Sequence, residues 1–181
     1  VELQIYAGLS VLENNPDAIG IGCGLGQSSQ AISLLEWALR SPAPVVLDAD
    51  ALNLMAQYPA IADLLRARKH ASIITPHPAE AARLLHTSTE SIESHRIRAA
   101  ISLAAEFNCI AVLKGAGSIV AFADGEYCIN TTGNPALANA GQGDVLTGII
   151  TALLAQGLHA GDAALAGVCL HGAAADACVQ Q

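Results

Sequence analysis

The spacing of apolar positions changes repeatedly along the chain, and each change marks an element. A short apolar run at 17–22 reads as a buried strand, and Gly22, Gly24 and Gly26 follow it as a turn. Ser28 or Ser29 caps a helix to about Arg40, with Ile32, Leu35 and Leu39 on one face. Residues 44–47 make a second strand ending at Asp48, and 51–58 are helical. Residues 71–75 form a third strand, stopped by Pro76, and Pro78 suits the first position of a short helix through Leu85. A longer helix covers about 94–107, and 110–113 is the next strand. Residues 118–123 and 126–130 pair as a hairpin around Asp124-Gly125. Two helices end the chain, 144–156 closed by Gly157 and then 162–179.

Strands alternating with helices predict an α/β fold with a mostly parallel sheet covered on both faces. In such sheets ligands gather beyond the strand C-termini. Four polar or glycine-rich segments follow strands: Gly22-Cys23-Gly24-Leu25-Gly26, Asp48-Ala49-Asp50, Thr75-Pro76-His77-Pro78 and Lys114-Gly115-Ala116-Gly117. They are expected to converge on one crevice.

Composition sharpens this reading. The 181 residues suit one domain or a large piece of one. Hydrophobic residues make up 52% and charged residues 13%, which excludes a disordered chain. With 36 alanines and 3% aromatics, the apolarity comes from small side chains that pack closely. Gly, Pro, Asp or His interrupts every apolar run, so no membrane span is expected. A net charge of −8 argues against nucleic-acid and anionic-membrane partners. It leaves room for a phosphate site built from backbone N–H groups. The five cysteines show no metal-ligand spacing and read as buried free thiols of a cytoplasmic protein. The weakly charged, Ala-rich surface predicts a homo-oligomer.

Candidate chemistry concentrates in Asn139-Ala140-Gly141-Gln142-Gly143-Asp144. Gly141 and Gly143 can turn N–H groups toward a cavity, and the helix that follows adds its positive end. Together they suit a phosphoryl group. Asp144 either takes a proton from a substrate hydroxyl or merely caps the helix. Lys114-Gly115-Ala116-Gly117-Ser118 is either a nucleotide-contacting loop or a tight β-turn; it is not a Walker A loop. Gly22–Gly26 lacks the dinucleotide GxGxxG spacing. Asp48 and Asp50 either share a Mg²⁺ with substrate phosphates or cap the next helix. His77, held between two prolines, is a candidate ligand-binding residue, and Glu80 supports the helix dipole. His171 and Asp176 read as packing residues. No residue set has spacing that singles out a protein-held metal.

In order, GCGLG (22–26), DADALNL (48–54), TPHPAEAARLL (75–85), VLKGAGS (112–118) and GNPALANAGQGDVLTGI (133–149) resemble the ADP/ATP-dependent NAD(P)H-hydrate dehydratase family. The resemblance covers residues 17–176 and implies a ribokinase-like three-layer α/β/α fold. It implies that ADP or ATP with Mg²⁺ drives dehydration of hydrated NAD(P)H. Asp144 would be the catalytic base. Gly24, Gly26, Asp50, His77 and Asp144 would meet the hydrated dinucleotide. Lys114, Gly115, Ala116, Gly117, Ser118, Gly141, Gln142 and Gly143 would meet the nucleotide. Family members are often fused to an epimerase domain. Three departures stand out in the motifs: Cys23 replaces the usual Pro, Ser118 the usual Thr, and Asn139 stands where a small or Gly-flanking polar residue is commoner. The family's N-terminal glycine-rich unit has no match, so residues 1–181 are expected to be an N-terminally truncated domain. The same superfold also houses vitamin-precursor kinases, and a nucleotide-binding fragment without turnover is a further alternative.

Overall fold

The structure, a computed structural model, describes residues 15–179. Its six strands lie in chain order across one sheet. Strands β1 (Ile19–Ile21), β2 (Val45–Leu47), β3 (Ser72–Ile74) and β4 (Ile110–Leu113) run parallel. Strands β5 (Ile119–Ala121) and β6 (Tyr127–Ile129) return antiparallel, with Gly125 at positive φ in the intervening turn.

The strand order dictates the layers. Parallel strands laid side by side in one direction, joined by crossovers of one hand, throw every connecting helix onto the same face. That face carries α1 (Ser29–Arg40), α2 (Ala49–Gln57), α3 (Pro59–Arg66), α4 (Pro78–Leu84), α5 (Thr89–Ser94) and α6 (Arg96–Phe107). Their buried side chains join Val45, Leu47, Ile74, Ala111 and Leu113 in one core. The alternate strand residues Val46, Ile73, Val112 and Val120 point the other way. They meet Leu146, Ile150 and Leu154 of α7 (Gln142–Ala155) and Ala163, Ala164 and Val168 of α8 (Ala160–Val179). The expected three-layer α/β/α arrangement is observed.

Element ends follow local chemistry. The Ser28 hydroxyl accepts from Ala31 N at 3.2 Å to start α1. Asn108, left-handed at φ 49°, ends α6. Helix α3 was not expected, although Pro59 at its first turn and Ile61 and Leu65 on its buried face carry the signal. The helix expected over 94–107 has a separate predecessor, α5, capped by Ser88.

Helix α8 is apolar on average although Gly161, Asp162, Gly167, His171, Gly172 and Asp176 interrupt its apolar runs. Its mean hydropathy reaches 1.3, and among the described residues it alone is long and apolar enough to cross a bilayer. Here it packs on α7 and on the face of β3 and β4. The cysteines also depart from expectation. Cys109 is buried and Cys23 half-buried, whereas Cys128, Cys169 and Cys178 are exposed. The N-terminal segment that bears on truncation lies outside the described residues.

Candidate active site

The C-terminal ends of β1 to β4 converge with the start of α7. Asp48, directly after β2, has only 1% of its surface exposed. Its Oδ1 accepts from Lys114 Nζ at 2.7 Å and from Ala49 N at 2.9 Å. Its Oδ2 accepts from Thr147 Oγ1, on α7, at 2.9 Å. One carboxylate therefore ties the ends of β2 and β4 to the helix that carries Asp144. Asp48 is a helix cap and also the partner of the lysine expected to face the nucleotide.

Asp50 turns elsewhere. Its Oδ2 accepts from Gly26 N at 2.8 Å, which pins the first glycine loop to α2. The Asp50 carboxylate thus faces the glycine loop, whereas the Asp48 carboxylate faces Lys114 and Thr147. The acidic cluster that does form joins Asp48, Asp144 and Cys23, whose ligand atoms lie within 4.8 Å of one another. Burial, with the nearby Asp144 and Asp48 carboxylates, pushes the Cys23 thiol up to about 12. It remains a thiol, close to the Asp144 carboxylate. A hard cation that keeps its waters and binds phosphate fits the exposed Asp144 oxygen. The protonated thiol and the lysine-bound Asp48 suit it less.

Gly141, at φ 87°, opens α7 and has no side-chain cap. The first-turn N–H groups of a helix lack intrahelical partners and face outward. Gly143 packs closely against the Asp48–Lys114 pair. A Cβ there would lie 3.1 Å from Lys114 Nζ and 3.3 Å from Asp48 Oδ2.

Beside this helix start lies a cavity of about 600 Å³. Lys114, Gly115, Ala116, Gly117 and Ser118 line one wall, and Gln142 and Gly143 another. Seven of the eight residues expected to contact the nucleotide therefore share one cavity, and Gly141 sits at its edge as the helix cap. The far wall was not anticipated. Leu137, Val168, His171 and Gly172 close it, with the 130–135 loop as rim. His171 Nε2 lies 3.1 Å from Gln142 Oε1, and Asp176 accepts from Gly133 N and Asn134 Nδ2 at 2.8 and 2.9 Å. Both residues, expected only to pack, hold the cavity's edges.

Arg96 was also missed. Its guanidinium donates to the carbonyls of Leu113, Lys114 and Gly117 at 3.2 to 3.4 Å, and so supports the loop from below. Its carbonyl partners lie 17 to 21 residues away, so no local pattern announces it.

His77 forms a capping box on α4. Its Nδ1 accepts from Ala79 N and Glu80 N, and the buried Glu80 accepts from His77 N at 2.8 Å. Burial lowers the His77 pKa, and the positive charges of Lys114 and Arg83 lower it further. The proton-free Nδ1 that the cap requires agrees with that direction. Glu80 is buried, which raises its pKa, and it does more than support the helix dipole.

A family model described as NAD(P)H-hydrate dehydratase matches residues 6–181, covering all of the elements that build this site. The chain belongs to the NAD(P)H-hydrate dehydratase family. It is 48% identical over 158 residues to the ADP-dependent (S)-NAD(P)H-hydrate dehydratase of Neisseria meningitidis, matching 86% of this chain and 53% of that protein. It is 46% identical over 160 residues to the bifunctional NAD(P)H-hydrate repair enzyme of Escherichia coli, matching 88% of this chain and 30% of that enzyme. A crystal structure of the Bacillus subtilis ADP/ATP-dependent NAD(P)H-hydrate dehydratase, grown with ATP and Mg²⁺, superposes with a TM-score of 0.83 at 36% identity. It covers 93% of this chain and 58% of that one. The chain thus spans about half the length of its single-function relative. The ribokinase-like fold expected from the motifs is the family's fold.

Proposed function

We propose that the protein uses ADP or ATP to dehydrate hydrated NAD(P)H and so regenerates NAD(P)H. The observation that carries this reading is the placement of Asp144. Its exposed carboxylate stands on the first turn of α7, between the Lys114-walled cavity and the glycine loop after β1. A nucleotide in the cavity would bring its terminal phosphate to the N–H groups at Gly143. A hydrated ring beside Gly24, Gly26 and His77 would bring its hydroxyl to Asp144.

In this scheme Asp144 takes the hydroxyl proton as the ring oxygen attacks the terminal phosphorus. The phosphoryl group moves from nucleotide to ring oxygen, and the shortened nucleotide leaves. The phosphate then departs with the C–O bond electrons, a ring proton is lost, and the double bond reforms. The helix N-terminus and Lys114 offset charge on the transferring group. A divalent cation accompanying the nucleotide's phosphates would neutralise charge there. The resemblance supports reading 1–181 as part of a single ribokinase-like domain, fused or unfused to an epimerase; the Ala-rich surface favours a homo-oligomer, and the free cysteines favour the cytoplasm.

Asp144→Asn removes the base but keeps the side chain's shape. Recovery of absorbance at 340 nm from hydrated NADH should fall by a factor of roughly 10³ or more, while the nucleotide KM stays within about twofold. Activity close to wild type in this variant would remove Asp144 from the base role.

A further inference from the structure

Helix α8 touches the nucleotide cavity at two places. At one, His171 Nε2 meets Gln142 Oε1 on the first turn of α7, at 3.1 Å. At the other, α8 holds the 130–134 rim with residues of a single face. Cys169, Gly172 and Asp176 recur at +3 and +7, the spacing of one helix side. The Cys169 carbonyl accepts from Thr132 Oγ1 at 3.0 Å. Gly172 lets the loop backbone lie directly on the helix, since a Cβ there would stand 2.2 Å from Thr132 Oγ1 and 2.7 Å from the Thr132 carbonyl carbon. Asp176 Oδ2 accepts from Gly133 N at 2.8 Å, and its Oδ1 accepts from Asn134 Nδ2 at 2.9 Å.

Between Ile129 and Pro135 the rim belongs to no strand or helix, so side chains have to order it. Asn130 closes one turn from within, its Nδ2 donating to Thr132 O at 2.9 Å. Asn134 Oδ1 accepts from Ala136 N at 3.0 Å and starts the short 3₁₀ turn Pro135–Ala138. That bond fixes which way the Asn134 amide faces, and its Nδ2 points at Asp176. Gly133 stands at φ 102°, and the same carboxylate takes its N–H. Asp176 is thus the charged group that fastens this loop. The two bonds hold its carboxyl below the usual carboxylate range. Asp176 itself does not line the cavity, whereas Gly133 and Asn134 do.

We infer that Asp176 is a positioning residue for the phosphoryl donor, setting nucleotide affinity by holding the 130–134 rim in place without touching the nucleotide. The inference rests on the nucleotide use proposed above. A rim already ordered in the free protein does not have to be ordered by the ligand, and the entropy not lost on binding appears as affinity. The residues proposed to meet the hydrated ring follow β1 and β3, away from this loop. The role of Asp176 is therefore confined to the nucleotide.

Calorimetric titration of the full chain with ADP and with ATP, beside steady-state kinetics, tests this. Asp176→Ala removes both acceptors and should weaken nucleotide binding roughly tenfold, with kcat and the hydrated-dinucleotide KM within about twofold. Asp176→Asn keeps one acceptor and should fall between that variant and wild type. Gly172→Ala raises helix propensity but drives a methyl group into Thr132, so it should weaken nucleotide binding without weakening α8 itself. Asp162→Asn, which removes a charge from the first turn of the same helix, should bind nucleotide as wild type does. Nucleotide affinity within twofold of wild type in Asp176→Ala, or an equal rise in the dinucleotide KM, overturns the proposal. A wild type that binds neither ADP nor ATP overturns the nucleotide reading itself. A wild type that binds, with an Asp176→Ala variant that binds equally well, overturns only the role of Asp176.

Discussion

At the residue scale, several side chains do two jobs at once. His77 faces the proposed substrate site, and its Nδ1 also closes the first turn of α4. Protonation would convert that acceptor into a donor and break the cap. The folded-state pKa lies below the ordinary 6.5, so the unfolded chain takes up the proton first as pH falls. Stability contributed here is therefore present above pH 6.5 and declines below it. His77→Ala should cost about 1 kcal/mol in urea denaturation at pH 7.5. His77→Asn should keep the cap, since Asn is a strong N-cap residue, and should remove this part of the acid sensitivity between pH 6.5 and 5. Equal acid sensitivity in wild type and His77→Asn would separate the histidine from it. Cys23 shows the same economy. It stands where the family usually has Pro, and its half-buried thiol lies within 4.8 Å of the proposed base.

At the element scale, the connections matter more than the strands, which are only three or four residues long. The β1–α1 turn must pass beside the end of β2. Gly22 has φ 127°, and a Cβ there would stand 1.8 Å from the Asp48 carbonyl oxygen. Neither clash nor dihedral can relax without moving Asp48. Gly22→Ala should therefore destabilise by at least about 4 kcal/mol in urea denaturation. Helix α1 shows the same dependence on a distant residue. The buried Arg68 donates to the carbonyls of Ala38, Leu39, Ser41 and Ala43, which closes the helix's C-terminal end. Burial lowers its pKa, and the ring of carbonyls replaces the water it has lost. The local patterns that define α1 give no hint of this partner.

At the scale of the whole molecule, the Asp48–Lys114 pair joins positions 66 residues apart and holds two strand ends under α7. With Asp48 1% exposed and the Lys114 side chain 19% exposed, the pair is well shielded. Removing one partner leaves a buried charge alone. Lys114→Met should cost about 3–5 kcal/mol and raise the nucleotide KM. Adding Asp48→Asn to it should recover part of the stability but none of the nucleotide affinity. A double-mutant cycle on folding and on KM measures both. Strictly additive stability effects would show that the pair does not tie the sheet to the helix.

The sequence by itself determined the strand–helix alternation, six strands within a residue or two, the capping roles of Ser28, Pro78 and Gly157, and the five motifs that converge. These are set by backbone propensity and by apolar periodicity, which act over a few residues. Helix α3 is also legible in Pro59 and Ile61. Tertiary structure alone decided which carboxylate meets which cation. It separated Asp48 from Asp50, gave Lys114 a buried partner, and set Arg96 beneath the nucleotide loop. It also drew His171 from α8 into the cavity wall and set Asp176 against the rim at Gly133 and Asn134. Each of those contacts depends on how strands and helices far apart in the chain are laid against one another. Side-chain charge and hydrogen bonding choose their partners only after that packing has brought them within reach.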